Sequence, residues 1–135
     1  MSQENVESLR RAYDALNGGN AEPLIAGSHR DMEFVSILSG VEGESGIFRG
    51  HAGIRAYLAN LPEVWSSWRW DVLELTALDD QRVLVVVDFH AVGVDSHVPV
   101  TAQLAVIYQF VGGLVSRAAA YANREAALEA VGLSE

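Results

Sequence analysis

Two titratable side chains stand one residue apart in a stretch that is typical of a β-strand. In Asp88-Phe89-His90 the carboxylate and the imidazole share one face of that strand, because side chains alternate. Such a pair can hold a general base or supply two metal ligands. The residues of opposite parity form a wholly apolar face suited to a core: Val83, Val85, Val87, Phe89 and Ala91. This parity favours a polar outer surface or a dimer surface for Asp88 and His90, and a catalytic role is the alternative.

A metal site finds little support elsewhere in the chain. His29, His51 and His97 share no ligand spacing with His90, and the chain contains no cysteine. We therefore expect neither a metal nor a cofactor.

Aromatic side chains point to a different kind of site. Trp65, Trp68 and Trp70 fall within six residues, and each combines a large apolar surface with one N–H donor. Core packing explains them, but Trp65, at the end of a predicted helical face, is also a candidate to line a ligand cavity. Tyr57 and Tyr108 add hydroxyl groups at its rim or floor. These residues together predict a pocket rich in aromatic side chains and poor in charge.

The hydrophobic periodicity supplies the elements that would position these groups. Three- and four-residue spacing predicts helices, and alternation with turn signals predicts strands. We predict helices over 6–16, 20–26, 54–65 and 123–131, and strands over 31–36, 68–77, 82–94, 98–110 and 114–122. Helices followed by a run of long strands indicate an α+β fold with a mostly antiparallel sheet, in a single domain over 1–135.

Alternation also predicts which strand faces line the interior. In the strand over 82–94 the inward residues include Val85, Val87 and Phe89. In the next strand, over 98–110, they include Leu104, Val106 and Tyr108. In the last strand the inward positions are alanines: Ala118, Ala120 and Ala122. Alanines leave volume that becomes either a cavity or room for the tryptophans.

Composition narrows the class of partner. Eighteen acidic and nine basic side chains give a formal charge of -9, which repels nucleic acid and anionic membrane surfaces. The longest aliphatic run, 83–87, is far below the roughly 20 residues that span a bilayer. The first residues lack the apolar core of an export signal. We therefore expect a cytoplasmic protein with no nucleic acid or membrane partner.

Several short motifs resemble the SnoaL-like branch of the nuclear transport factor 2-like superfamily, which is related to polyketide cyclases and ketosteroid isomerase. They run from end to end of the chain: Arg11-Ala12-Tyr13, Asn17-Gly18, Phe48-Arg49-Gly50-His51, Gly53-Ile54-Arg55, and Tyr121 followed by Arg124-Glu125. The resemblance implies a cone of strongly curved, mostly antiparallel sheet packed on three helices, with a short C-terminal helix. It also implies that Phe34 and Ser36 point into the pocket, and that the protein forms a homodimer through the outer sheet face.

The catalytic groups of ketosteroid isomerase are missing from the matching positions. The resemblance places its tyrosine and two aspartates on Ala12, Ser36 and Val106. Tyr13 lies one residue away, about 100° around the helix. The limonene epoxide hydrolase-like branch needs an Arg-x-Asp pair in one strand and a further aspartate. We compare Asp88-Phe89-His90 with that pair, and this spacing lacks the arginine, so neither resemblance assigns an activity.

Three hypotheses follow. The first is a pocket protein that binds a small apolar or aromatic molecule, with Tyr13 among the lining residues. The second is an enzyme, a cyclase, isomerase or hydrolase acting on a polyketide-, steroid- or terpenoid-like substrate, with Asp88 and His90 or Ser36 and Tyr108 moving protons. The third is a non-catalytic dimerisation module.

Overall fold

The computed structural model describes residues 2–35 and 47–133. These residues form four helices and six strands of an α+β fold. Along the chain these are α1 (Ser2–Asn17), α2 (Glu22–Ala26), β1 (Ser28–Val35), β2 (Ile47–Arg49), α3 (Gly50–Val64), β3 (Trp65–Ala77), β4 (Arg82–Gly93), β5 (Pro99–Val111), β6 (Leu114–Tyr121) and α4 (Arg124–Ala130). Among these described residues, no helix is long and apolar enough to cross a bilayer.

Helix α1 forms because its apolar residues recur at helical spacing and are buried on one side. Val6, Leu9 and Tyr13 are each less than a tenth exposed. The helix ends at Asn17, and Gly19 then adopts a φ of 85°, which glycine tolerates and other residues rarely do. The Asn20 side chain accepts a hydrogen bond from the Glu22 backbone N–H at 3.1 Å, although the N-cap position of α2 is the next residue, Ala21.

The six strands form one mixed sheet in the order β2-β1-β6-β5-β4-β3. The β1–β6 pair is parallel, and the other pairs are antiparallel. Register shifts interrupt β1 against β6, β3 against β4, and β5 against β6, and bulges of this kind bend strands. The sheet therefore curves, as the family resemblance led us to expect, with α1, α2 and α3 on its inner face.

Strand β4 is buried on both faces, which explains its unbroken aliphatic run. Val83, Val85 and Val87 belong to the main core under α1 and α3. Leu84 and Val86 pack on the other side, in a smaller cluster with Ala127 and Leu128 of α4 and with Ala105 and Ile107 of β5.

Helix α4 covers the centre of the outer face. Asn123 caps it by accepting a hydrogen bond from the Ala126 N–H at 2.8 Å. Its first residue, Arg124, donates from Nε to Glu74 of β3 at 2.9 Å. A homodimer through the outer sheet face stays a prediction, and such an interface would have to accommodate α4.

The end of α1 is tied to the free edge of the sheet. Asn17 donates from its side-chain amide to the Trp70 carbonyl at 2.7 Å and accepts from the Trp70 backbone N–H at 2.9 Å. Because β3 is an edge strand, the Asn17 side chain occupies the place that the backbone of a further strand would take.

Two local features differ from the sequence-based expectation. The short strand β2 was not predicted, since three residues are too few for alternation to be visible. Helix α3 begins at Gly50 and contains Pro62, and the chain becomes extended at Trp65. Trp65 is thus the first residue of β3 rather than part of a helical face.

Candidate functional site

A mostly apolar cavity of about 80 Å³ lies between the three N-terminal helices and the inner face of the sheet. Seven residues that the sequence predicted for the pocket line it: Tyr13, Phe34, Tyr57, Val87, Leu104, Val106 and Tyr108. They come from α1, α3 and three different strands, so the cavity depends on the whole fold.

Two of the inward alanines take part as well. Ala118 pairs with Tyr108 across β5 and β6, and Ala120 pairs with Val106; both line the cavity. Ala122, also expected to face inward, is exposed just beyond the end of β6.

Four residues predicted for the pocket do not appear in its described lining. Val85 and Phe89 are fully packed in the core, with exposures of 0% and 1%. Trp65 lies behind Phe89, their rings 5.8 Å apart, because β3 begins there and turns the indole into the core. Ser36 lies outside the described residues.

The sequence reading missed six lining residues: Leu16, Leu24, Met32, Ile54, Leu58 and Trp70. A signal existed for two of them, because Ile54 and Leu58 share the apolar face of α3 with Tyr57. Trp70 lies on the inner face of β3, paired with Phe89 of β4. Only the register between these two strands shows which of the three nearby tryptophans faces inward.

The polar feature of the cavity is a pair of phenols, which we call the Tyr13–Tyr108 dyad. Their hydroxyl oxygens lie 2.7 Å apart, and either hydroxyl can donate to the other. The rings meet edge to face with centroids 6.4 Å apart. Since the two hydroxyls carry two protons and their mutual bond uses one, the second can be donated to a further acceptor. The Tyr57 phenol lines the same cavity and lies near enough to Tyr13 to contribute to its raised pKa.

Burial determines the protonation state of the dyad. It raises the pKa of Tyr108 to about 12, although the hydrogen bond from Tyr13 acts in the opposite direction. Burial, and then the nearness of Tyr108, raises the pKa of Tyr13 well above its usual value. Both phenols are therefore neutral hydrogen-bond donors at neutral pH and poor proton acceptors from carbon.

This protonation state predicts a loss of stability at alkaline pH. An unfolded tyrosine ionises near a pH of about 10, whereas the folded dyad resists ionisation until the pH is higher. Its stabilising contribution is thus complete below about pH 10 and decreases as the pH rises toward the folded pKa values. Urea unfolding across this range should show a steeper loss for the wild type than for the variant carrying both Tyr13→Phe and Tyr108→Phe. Equal slopes would contradict the assignment, and phenolate absorbance of the two proteins provides the independent control.

Asp88 and His90 lie on the sheet face opposite to the cavity. His90 Nε2 lies 3.0 Å from an Asp71 carboxylate oxygen, and its Nδ1 lies 3.1 Å from the Thr101 hydroxyl. Arg69 also binds Asp71, through two hydrogen bonds of 2.7 and 2.9 Å. These residues belong to a polar row across the outer face, so Asp88 and His90 cannot act on a molecule in the cavity. Within the described ranges, no group of three His, Asp or Glu side chains could hold a metal.

The cavity opens where its lining is least buried. Four lining residues are only half-buried, and we call them the rim: Leu16, Leu24, Phe34 and Leu58. They lie at the end of α1, on α2, near the end of β1 and on α3. The dyad, by contrast, is formed by residues only 5% and 8% exposed. The dyad is thus more deeply buried than the rim.

Comparisons with known proteins agree with this architecture. The family model of the SnoaL-like domain matches residues 9–118. TerC, crystallised with polyporic acid, is 24% identical, with a TM-score of 0.78 over 93% of this chain and 96% of its own. A nuclear transport factor 2-like protein of unknown function from Burkholderia pseudomallei is 15% identical, with a TM-score of 0.80 over 96% and 98% of the two chains.

A third structure, provisionally described as a SnoaL-like polyketide cyclase from Jannaschia sp. CCS1, is 16% identical, with a TM-score of 0.72 over 89% of this chain and 85% of its own. At these identities the likeness concerns the fold, which is of the nuclear transport factor 2-like type. No curated protein matches the sequence.

Proposed function

Because the chain belongs to the SnoaL-like domain family, we propose that it binds a small apolar or aromatic molecule in the inner cavity. The observation that carries this proposal is the buried Tyr13–Tyr108 dyad in a cavity whose lining is mostly apolar. Binding sites for small molecules commonly combine an apolar lining with a few fixed polar groups.

The dyad selects for one kind of polar group. Its spare proton requires an acceptor, such as a ketone or ether oxygen. A carboxylate at that position would lose its hydration without a cation to compensate, because none of the lining residues that the structure describes is charged. The inner end of the ligand is therefore neutral, and it carries an oxygen acceptor on an apolar or aromatic body.

The lining favours binding over proton-transfer catalysis. Abstraction of a proton from carbon needs a base, and the described lining contains no carboxylate or imidazole. The raised pKa of Tyr108 makes its phenolate scarce at neutral pH. The second candidate is an enzyme in which the dyad polarises a substrate carbonyl. The likeness to TerC, crystallised with polyporic acid, and to a cyclase-like relative supports it.

A pair of matched ligands tests the proposal. We expect para-ethylacetophenone to bind the wild type about fivefold more tightly than para-diethylbenzene, which has a similar shape but no oxygen, since one net hydrogen bond contributes about 1 kcal/mol. NMR titration would give both dissociation constants. The Tyr13→Phe, Tyr108→Phe double variant should bind both compounds equally.

Tyr121→Phe is the control, because Tyr121 is a half-buried tyrosine outside the cavity lining. It should keep the preference for the ketone. Equal binding of the two compounds by the wild type, or binding of neither, would contradict the proposal.

A further inference from the structure

The size of the cavity implies that a bound ligand extends beyond it. The cavity measures about 80 Å³, whereas an apolar cavity that accepts a benzene ring measures about 150 Å³. A substituted ring with its acceptor at the dyad must therefore push the rim side chains apart and reach the surface between α2 and α3.

A charged pair lies on the two helices that contribute Leu24 and Leu58 to the rim. Arg55 of α3 and Glu22 of α2 form an ion pair with Nη1 and Oε2 3.2 Å apart. Arg55 follows the lining residue Ile54 directly and lies one turn before Leu58 of the rim. Glu22 lies two residues before Leu24, which is also in the rim. The ion pair thus joins α2 and α3 within a few residues of the rim positions on both helices.

The bond between Arg55 and Glu22 is exchangeable. Their side chains are 58% and 67% exposed, and ion pairs with this exposure contribute little to stability. Arg55 can therefore leave Glu22 for another carboxylate at little cost, and its planar fork can bind that carboxylate through two hydrogen bonds. The formal charge of -9 repels anions in general, so an acidic ligand needs a local cation of this kind.

We infer that Arg55 selects an amphiphilic ligand, whose neutral apolar head occupies the cavity and whose carboxylate displaces Glu22 at the rim. This inference rests on the proposed function for the position of the head. It adds a charged specificity determinant outside the cavity and narrows the ligand to an acid that carries a neutral acceptor at its far end.

The test compares two compounds that share the acetophenone head, para-ethylacetophenone and para-acetylphenylpropanoic acid. The measured quantity is the ratio of the affinity for the acid to the affinity for the neutral ketone, obtained by NMR titration. Arg55→Gln should lower this ratio about threefold, as the loss of an exposed ion pair implies. Glu22→Gln should raise the ratio, because it removes the carboxylate that competes with the ligand for Arg55.

Arg10→Gln is the matched control, since Arg10 is also a helical arginine, 54% exposed, that pairs with a glutamate, Glu7. It should leave the ratio unchanged, and circular dichroism would verify that all variants are folded. If Arg55→Gln leaves the ratio unchanged while both compounds bind, the role of Arg55 is disproved and the pocket function stands. If neither compound binds the wild type, the proposed function fails first and the inference fails with it.

Discussion

Replacing Phe89 with alanine is expected to lower the free energy of unfolding by about 3–5 kcal/mol, the usual cost of removing a buried phenyl ring. Phe89 is 1% exposed and packs between Trp65 and Trp70, with ring centroids 5.8 and 5.7 Å away. Indoles on both sides cannot collapse into the space without leaving their own strand positions. A domain of this size has a total stability of about 5–15 kcal/mol, so the variant should be close to unfolding.

Urea unfolding followed by circular dichroism would measure this loss. Leu73→Ala is the control, because Leu73 lies in β3 with 54% of its surface exposed and should cost less than about 0.5 kcal/mol. A loss below about 1.5 kcal/mol for Phe89→Ala would show that the ring is not enclosed as described.

Replacing Ala118 with leucine is expected to abolish ligand binding while preserving the fold. Ala118 pairs with Phe34 on one side and Tyr108 on the other, so the larger side chain would project into the cavity beside the dyad. The three added carbon groups gain about 2.4 kcal/mol on burial, and the strain of overpacking costs about 1–3 kcal/mol. The net change in stability should therefore be within about 1.5 kcal/mol. The affinity for para-ethylacetophenone should fall more than about tenfold as its space is filled.

Ala122→Leu makes the same chemical change at an exposed position four residues further along the chain, and it should leave binding intact. NMR titration gives the affinities, and thermal unfolding checks the fold. Unchanged binding by Ala118→Leu would place the ligand elsewhere.

Much of the fold could be predicted from the sequence because its physical signals are local. Each of these signals depends on neighbours a few residues away: the apolar face from Val83 to Phe89, the glycine stop after Asn17 and the capping residue Asn123. The parallel pairing of β1 with β6 depends on residues that are more than 80 positions apart, as in Phe34 with Ala118, and no local pattern encodes it.

The candidate site shows the same limit. Alternation placed Val87, Leu104 and Val106 on the inner face, which they occupy. Alternation does not reveal how far a curved sheet lies from a helix. Phe89 is on the same face of the sheet as Val87, yet it packs in the core and does not line the cavity. The dyad joins α1 to β5 across 95 positions of the sequence, and only the assembled fold brings the Tyr13 hydroxyl within 2.7 Å of that of Tyr108.

The side-chain amide of Asn17 affects the self-association of this protein at high concentration. A sheet edge with unpaired N–H and C=O groups is a template on which foreign strands can grow, and many proteins must guard such edges against polymerisation. Here the two backbone groups of Trp70 are already satisfied from within the same chain. A strand added at this edge could not form continuous backbone hydrogen bonds along the middle of β3. The Asn17 side chain therefore opposes edge-to-edge association of this protein.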